Sequence, residues 1–468
     1  MNLCWLTESV MELLLPILLG FLACLVGGLY LLGVFRQRRP GEPPLDKGLI
    51  PWLGHVLEFR RNTLKFLERM EKKHGDIFTV QLGGFYITFI QDPFSFGGFV
   101  KESRDKLDVR KVALHLAHRV FGYKAVEGEH SILRISSNKH LKGEGLQEVT
   151  QSFMSNLQNM MLHNIGSAAE DRTWKEDGLF RLAYGVLPPM EKLAAERLKA
   201  YFWDVLSILK MKTKDNISGW VWDIQQGKEE MGIDMSMINR YMLVLLWASQ
   251  SNIGPSSFWL LLFLMKHPEA MKAVKEEVDK VLKESGQEVR PGGPMVNLTR
   301  EMLLKTPILD SAVEENLRLT AAPLLTRAVI KDMTFKMADG REYLLRKGDR
   351  IAIFPFSSVH HDPEIHPEPH SFKYDRFLNP DGTKKTDFYK AGKKVKYYTM
   401  PWGSGVSMCP GRFFATNELK QFVFLMLVHF ELELMNPDEK IPETDVSRYG
   451  FGTMQPVRDV QFRYRLRY

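Results

Sequence analysis

"PWGSGVSMCPGRFF", residues 401–414, places one cysteine among glycines immediately ahead of an apolar helical pattern. The other two cysteines, Cys4 and Cys24, lie in the first few dozen residues, so Cys409 is the sole thiol of the remaining body. Disulfide scaffolding is excluded, and a lone thiol agrees with a reducing compartment. "GSGVSM" fails G-x-G-x-x-G at its last position and follows no hydrophobic strand, which argues against a dinucleotide-binding turn. Cys409 is then either a ligand or an inert buried thiol.

The 468 residues carry 63 Lys+Arg against 56 Asp+Glu, a formal +7. That excess suits an acidic partner or an anionic membrane face, but it is too sparse for a nucleic-acid binder. "LLLPILLGFLACLVGGLYLLGVF", residues 13–35, holds no charge and is long enough as a helix to cross a hydrocarbon core of about 30 Å. Glu8 and Glu12 precede it and Arg36, Arg38 and Arg39 follow, which puts the N-terminus in a lumen and the body in the cytosol. The expected division is a lumenal tip and anchor at 1–35, a basic and proline-rich hinge at 36–50, and a body at 51–468. On this topology the sequons at Asn216 and Asn297 stay unglycosylated.

Within the body, "IFTVQLGGFYITFI" has two apolar runs around Gly83 and Gly84, as a hairpin would. Residues 95–335 are chiefly helical in period. "MLVLLWASQSNIGPSSFWLLLFLMKH", 242–267, is apolar almost all round and reads as a buried central helix, since Asn252, Gly254 and Pro255 in mid-run argue against a simple membrane span. Strands and loops alternate over 326–376, a helix is expected over 411–434, and the alternating C-terminus suggests a strand pair. The fold class expected is mainly α, with small sheets at the two ends.

Three short patterns occur in order: "EENLR" with Glu315 and Arg318, "KYDRF" with Arg376, and the cysteine loop. Taken singly, a Glu/Arg pair at i, i+3 is ordinarily a solvated surface pair worth about 0.2–0.5 kcal/mol. Taken together, and with the anchor, the hinge and the central helix, they resemble the cytochrome P450 family over nearly the whole chain. The resemblance implies the P450 fold with an N-terminal transmembrane helix, a structural triad of Glu315, Arg318 and Arg376, and haem b with Cys409 as axial ligand of the iron. A thiolate pushes electron density onto iron and favours O–O cleavage. Pro410 and Gly411 open a helix whose N-terminus favours that negative charge. Gly403, Gly405 and Gly411 would let the backbone lie close under the macrocycle, with Trp402 in the same cofactor loop. The family usually sets Arg or His two residues before the cysteine to pair a haem propionate; here that residue is Ser407, and Arg327 is the expected replacement.

Aligned back from "KHPE", the family's acid–alcohol pair falls on Ser251 and Asn252, so asparagine stands for the usual threonine. Pro255 cannot donate to the Ser251 carbonyl, which opens a gap in the helix where water, an oxygen ligand and the Asn252 amide would meet. Members with this asparagine include 12α-hydroxylases of sterols, which draw electrons from NADPH through a flavin-containing cytochrome P450 reductase, and isomerases of prostaglandin endoperoxide, which need none. "PWLGH", "TVQLGG", "VFGYKAVEGEH" and "ASQSN" resemble the hydroxylases, whereas "LTAAP" and "MADGRE" resemble the isomerases. The implied substrate is a sterol such as 7α-hydroxycholest-4-en-3-one, and the implied location is the endoplasmic reticulum membrane, in contact with lipid. Trp247, Ala248, Ala322, Pro323, Leu324, Thr453 and Met454 are the corresponding pocket residues, with ordinary core packing as the alternative for each.

The histidines of "VHHDPEIHPEPH", residues 359–370, read either as a metal cluster or, by resemblance, as the loop before Arg376. The lysines at 384, 385, 390, 393, 394 and 396 form either a solvated loop or a docking surface for the acidic reductase. In "LFRLAYGVLPPMEKLAAERLKAYF", 179–202, two segments that relatives separate by several tens of residues meet directly, so the body is expected to be shortened around 185–190. That loss would remove part of the substrate channel's roof, with an inactive short form as one consequence.

Overall fold

Pro255 does not break the apolar stretch that contains it: Met235–Lys266 is one helix of 32 residues, referred to below as the central helix. Asp234 starts it by accepting the Ser236 N–H. It stops at His267, whose backbone is pushed out of the helical region by Pro268, the first residue of the next helix, Pro268–Glu284. Proline removes one backbone donor, leaving the Ser251 carbonyl without its ladder partner. The turn is supported instead by side chains: Ser256 Oγ donates to the Asn252 carbonyl at 2.8 Å, and Arg448 Nη2 lies 3.5 Å from the Ser251 carbonyl.

A computed structural model of the chain describes residues 3–31, 35–165, 173–185, 210, 213, 217–290 and 293–467. They form two compact units, 110–325 with 354–468, and 1–109 with 326–353.

In the first of these, the central helix is buried continuously from Ile253 to Leu264, which settles the membrane-span alternative for 242–267 in favour of a core helix. It packs with Leu309, Ala312 and Val313 of the helix Pro307–Thr320, and with Phe422 to Val428 of the helix Arg412–His429. Met154 and Leu157 of Gly143–Ile165 and Leu182 of Leu179–Gly185 complete this core. Each buried aliphatic or aromatic side chain here is worth about 1.5–3 kcal/mol. The helix expected over 411–434 ends at His429, and "FELEL" becomes the strand Phe430–Leu434, because its period has switched from helical to alternating. The expected C-terminal strand pair is likewise corrected. Gln461–Leu466 is one strand, antiparallel to Phe430–Leu434 on one side and to Lys175–Gly178 on the other.

The second unit holds the hairpin Ile77–Leu82 and Phe85–Ile90 in the expected register, turning at Gly83 (φ 58°) and Gly84 (φ 80°). A Cβ on Gly84 would come within 2.4 Å of Trp52 Nε1, so the turn needs glycine twice over. Residues 45–46, 350–353, 325–329 and 107–108 complete a six-stranded sheet with this hairpin. Strands from mid-chain therefore join it, and the expected placing of the sheets at the two chain ends does not hold. The basic hinge is tied into this unit, with Arg36 paired to Asp349 and over the Tyr86 ring, and Arg346 paired to Glu42.

The N-terminal helix is Leu3–Leu31, with Pro16 inside it. Its described side chains, residues 14–30, are mostly exposed, among them Leu18 and Phe21. As a helix those residues span about 25 Å. Counted over described residues, no helix is long and apolar enough to cross a membrane. The shortened stretch expected around 185–190 lies outside the described residues, apart from the end of Leu179–Gly185.

Candidate functional site

Glu315 and Arg318 share one face of Pro307–Thr320, and both are 0% exposed, so the surface-pair reading does not apply. Arg318 grips the carboxylate with both arms of its fork, Nε to Oε2 at 2.7 Å and Nη2 to Oε1 at 2.9 Å. Arg376 brings its Nε to 2.9 Å from both oxygens, and the Lys373 N–H donates at 3.1 Å. Bidentate charge-assisted bonds of this kind are the strong ones. The remaining guanidinium N–H groups go to backbone carbonyls. Arg318 donates to His360 and Pro369, and Arg376 to Pro367, Glu368 and Ser371. The triad therefore fixes the irregular segment 360–371. Burial lowers the Arg376 pKa, and the Glu315 carboxylate opposes that by attraction.

The cysteine loop closes on itself. The Gly403 N–H reaches the Met400 carbonyl at 3.2 Å, and the Cys409 N–H reaches the Trp402 carbonyl at 2.8 Å. Gly403 and Gly405 take φ of 73° and 57°, the left-handed region where a side chain is strained. Gly411 ends the loop as the cap of Arg412–His429, the Arg412 N–H reaches the Cys409 carbonyl at 3.5 Å, and the Gly411 and Arg412 amides favour negative charge on the sulfur. Burial nevertheless outweighs these amides and the nearby Arg412 guanidinium, and the thiol pKa is raised. The helix N-terminus alone does not keep this sulfur ionised.

The family model for Cytochrome P450 matches residues 189–462. The chain is 46% identical over 495 residues to the 7-alpha-hydroxycholest-4-en-3-one 12-alpha-hydroxylase of Homo sapiens, covering 96% of this chain and 98% of that one. It is 47% identical over 496 residues to the 5-beta-cholestane-3-alpha,7-alpha-diol 12-alpha-hydroxylase of Sus scrofa, covering 97% and 98%. Prostacyclin synthase of Homo sapiens is 43% identical over 478 residues, covering 92% and 95%.

The chain is a cytochrome P450.

The match to the human hydroxylase runs over 495 positions, more than this chain's 468 residues, so several tens of the relative's positions have no counterpart here.

Haem is the group this family holds, and the loop of this P450 fits it. The buried hydroxyls of Thr399, Ser404 and Ser407 have no hydrogen-bond partner among the described residues, leaving polar atoms available to a ligand. A Cβ on Gly411 would meet only the Cys409 sulfur, at 4.0 Å, so space lies open beside the thiol. A single sulfur donor with flanking glycines would suit binding of the haem iron by Cys409. Trp402 supplies the carbonyl that closes the loop and packs its ring on the core. Arg327 lies in the other unit, where it donates to the Phe99 and Val100 carbonyls at 2.6 and 3.5 Å; its buried Nε has no hydrogen-bond partner among the described residues.

Asn252 is held by the C-terminal loop. Its Oδ1 accepts the Thr453 N–H at 3.0 Å and its Nδ2 donates to the Ala248 carbonyl at 3.2 Å. Ser251 is half-buried, its Oγ 3.4 Å from the Asn252 Nδ2. The clasp holds the Asn252 amide beside the Pro255 gap. Thr453 Oγ1 also meets Ser256 Oγ at 3.0 Å, and the Met454 carbonyl accepts the Trp259 indole N–H at 2.7 Å. The same loop pairs with 320–324: Ala322 N–H to the Gly452 carbonyl, Leu324 N–H to that of Gly450, and Met454 N–H to that of Thr320. Ala322, Pro323, Leu324, Thr453 and Met454 are thus brought to the central helix near Asn252. Ala322 and Met454 are fully buried, whereas Pro323 and Leu324 are half-buried. Trp247 and Ala248 lie further back along the helix, Trp247 with its ring 5.5 Å from Phe121 and Ala248 exposed.

The four histidines turn to separate partners rather than to a shared point. His361 Nδ1 lies 2.8 Å from the Phe356 carbonyl, His370 stacks on the His361 ring, and His360 and His366 reach the chain before the cysteine loop. Among the described residues no group of three or more His, Cys, Asp or Glu is placed to hold a metal ion. Of the six lysines, Lys384, Lys390 and Lys394 pair with Glu314, Asp362 and Asp387. Sequence reasoning missed Gly452, which the clasp requires: at φ 104°, a Cβ there would fall 2.2 Å from Asn252 Oδ1. The signal was the second glycine of "GFGT", set between Phe451 and Thr453.

Proposed function

We propose that this cytochrome P450 is a monooxygenase that hydroxylates a sterol, at the 12α position of 7α-hydroxycholest-4-en-3-one or a close analogue. The observation that carries this reading is the 46–47% identity, over 96–97% of the chain, to two proteins named as 12-alpha-hydroxylases. When bound, the haem iron supplies oxygen activation driven by two electrons, with thiolate donation favouring O–O cleavage.

The chain's own residues do the rest. Cys409 would hold the haem iron, and Ser407, Ser404 and Thr399 would offer it hydroxyls. The Glu315, Arg318 and Arg376 triad keeps the cysteine loop's supporting segment rigid. Ser251 and Asn252 mark where the central helix faces the reaction, with the Asn252 amide oriented by Thr453. Trp247, Ala248, Ala322, Pro323, Leu324, Thr453 and Met454 provide a mostly apolar wall, as a flat sterol with few polar groups requires. Lys385, Lys393 and Lys396, without an ion pair among the described residues, would attract the acidic NADPH–cytochrome P450 reductase, whose flavins deliver the electrons. The uncharged stretch 13–35, with the described side chains 14–30 mostly exposed along the N-terminal helix, supports a single-pass anchor in the endoplasmic reticulum membrane with the body cytosolic.

Two other readings each rest on one observation. The 43% identity to prostacyclin synthase supports electron-free isomerisation of an endoperoxide. The several tens of unmatched positions, with the family match starting at residue 189, support a shortened form without turnover. The deciding experiment is to express the chain in membranes and record the carbon-monoxide difference spectrum of the reduced protein, then incubate it with sterol, reductase and NADPH. A red-shifted thiolate band with NADPH-dependent oxygen uptake and a 12α-hydroxylated product is expected. Consumption of an endoperoxide without reductase would replace this reading with the isomerase, and absence of the thiolate band would leave the inactive form.

A further inference from the structure

His360 and His366 sit one on each side of the segment that leads into the cysteine loop. His360 Nε2 accepts the Met400 N–H at 3.0 Å, and His366 Nε2 lies 2.8 Å from the Tyr398 carbonyl. A backbone N–H can only donate and a carbonyl can only accept, so these contacts define both rings. His360 carries its proton on Nδ1 and presents Nε2 as an acceptor; His366 carries a proton on Nε2 and donates. Both side chains are 0% exposed, and burial pushes both pKa values down, that of His366 to about 3, so both rings are neutral at physiological pH.

The backbone beneath these rings belongs to the triad. Arg318 donates to the His360 carbonyl, and Arg376 donates to the Pro367 carbonyl, one residue beyond His366. Met400, gripped by His360, in turn accepts the Gly403 N–H. A continuous run of contacts thus leads from the Glu315 carboxylate, through Arg318 and the His360 ring, to the first turn of the loop that carries Cys409.

We propose that His360 and His366 are positioning residues: a complementary acceptor and donor that transmit the placement of the Glu315–Arg318–Arg376 triad to residues 398–400 and so set the cysteine loop. Neither ring touches the sulfur, and each acts through one backbone group. His360 carries more of the effect, because it fixes the peptide from which the Gly403 turn begins.

The test uses the full chain with His360→Gln, which can keep an acceptor near the Nε2 position, and His360→Leu, which removes it at similar bulk. Backbone hydrogen exchange of the peptide spanning residues 398–409 is read in each, with the helix Pro307–Thr320 as internal reference. The Leu variant is expected to exchange about tenfold faster or more in that peptide while the reference stays protected, and the Gln variant to match the parent. The carbon-monoxide spectrum of the same preparations should show part of the thiolate band converted to the neutral-ligand band in the Leu variant only. This spectral arm rests on the proposed haem ligation by Cys409, whereas the exchange arm does not, so the two readings fail separately. Equal exchange in the Leu variant and the parent overturns the proposal. If the Leu variant does not accumulate folded, the Gln variant decides: parent-like protection supports the role, and exchange raised as in the corresponding His366→Leu chain overturns it.

Discussion

Asn252 Oδ1 accepts the backbone N–H of Thr453 at 3.0 Å, joining the middle of the central helix to the C-terminal loop across 201 residues of sequence. The bond orients the Asn252 amide beside the Pro255 gap. Asn252→Ala would leave the Thr453 N–H without its partner, a loss of about 1–3 kcal/mol. Asn252→Asp keeps the acceptor and should retain most of the stability. Thermal unfolding of the two variants, with product formed per NADPH consumed, checks this; equal melting of the Ala variant and the parent would show that the clasp is not stabilising.

Gly452→Ala attacks the same clasp from the other side. The added Cβ would fall 2.2 Å from Asn252 Oδ1, at a backbone φ of 104° that side chains rarely take. The expected result is a greater loss of stability than Asn252→Ala, with sterol binding weakened as the loop moves away. A sterol-induced spectral titration measures it.

Arg376→Leu removes one of the two guanidinium groups around Glu315 and leaves several backbone carbonyls unpaired. Breaking a buried ion pair from one side costs about 3–5 kcal/mol. Arg376→Lys keeps the charge but not the fork, and an intermediate loss is expected. Haem content per unit of protein should fall in the order parent, Lys, Leu. A Leu variant as loaded as the parent would contradict the triad's structural role.

Cys409→Ser should abolish the thiolate carbon-monoxide band and all NADPH-dependent hydroxylation, since a serine oxygen cannot supply the same electron donation. Retention of the band would remove Cys409 from the site.

Glu418, on Arg412–His429, lines a cavity of about 200 Å³ with Gln250, Ile253, Ser257 and Phe422 among its neighbours. Burial alone pushes its carboxyl pKa up to about 8. The folded state therefore holds the proton more tightly than the unfolded chain, whose pKa is near the ordinary value. The stability this group contributes is full below that value and is lost as pH rises through about 8. Glu418→Gln removes the ionisable group, so its melting temperature should exceed the parent's by more at about pH 8 than at about pH 5. The opposite order would show that the carboxyl is solvated.

How much was legible follows from how local each signal is. The hairpin at 77–90 was readable because two alternating runs flank a glycine pair. The strand at 430–434 was equally local, in the alternation of "FELEL", but the preceding apolar helix masked the change of period. The partner of Gln461–Leu466 was not readable at all, because it lies at 430–434 and 175–178 and no nearby residue announces it. The histidines of 359–370 were visible as a cluster, yet whether they face one point or separate backbone groups depends on segments 32 and 40 residues away.

By itself the sequence determined which residues we propose for the chemistry: a lone thiol among glycines at 409, the Glu315/Arg318 spacing, and the arginine at 376. Those are properties of residue type and short spacing, which survive without coordinates. Only the tertiary structure decided that Glu315 and Arg318 are buried with Arg376, that Cys409's thiol is pushed up by burial despite its helix amides, and that Asn252 points its oxygen at Thr453. Each of these depends on desolvation or on a hydrogen bond between residues far apart in the chain, and neither burial nor long-range pairing is written in local periodicity.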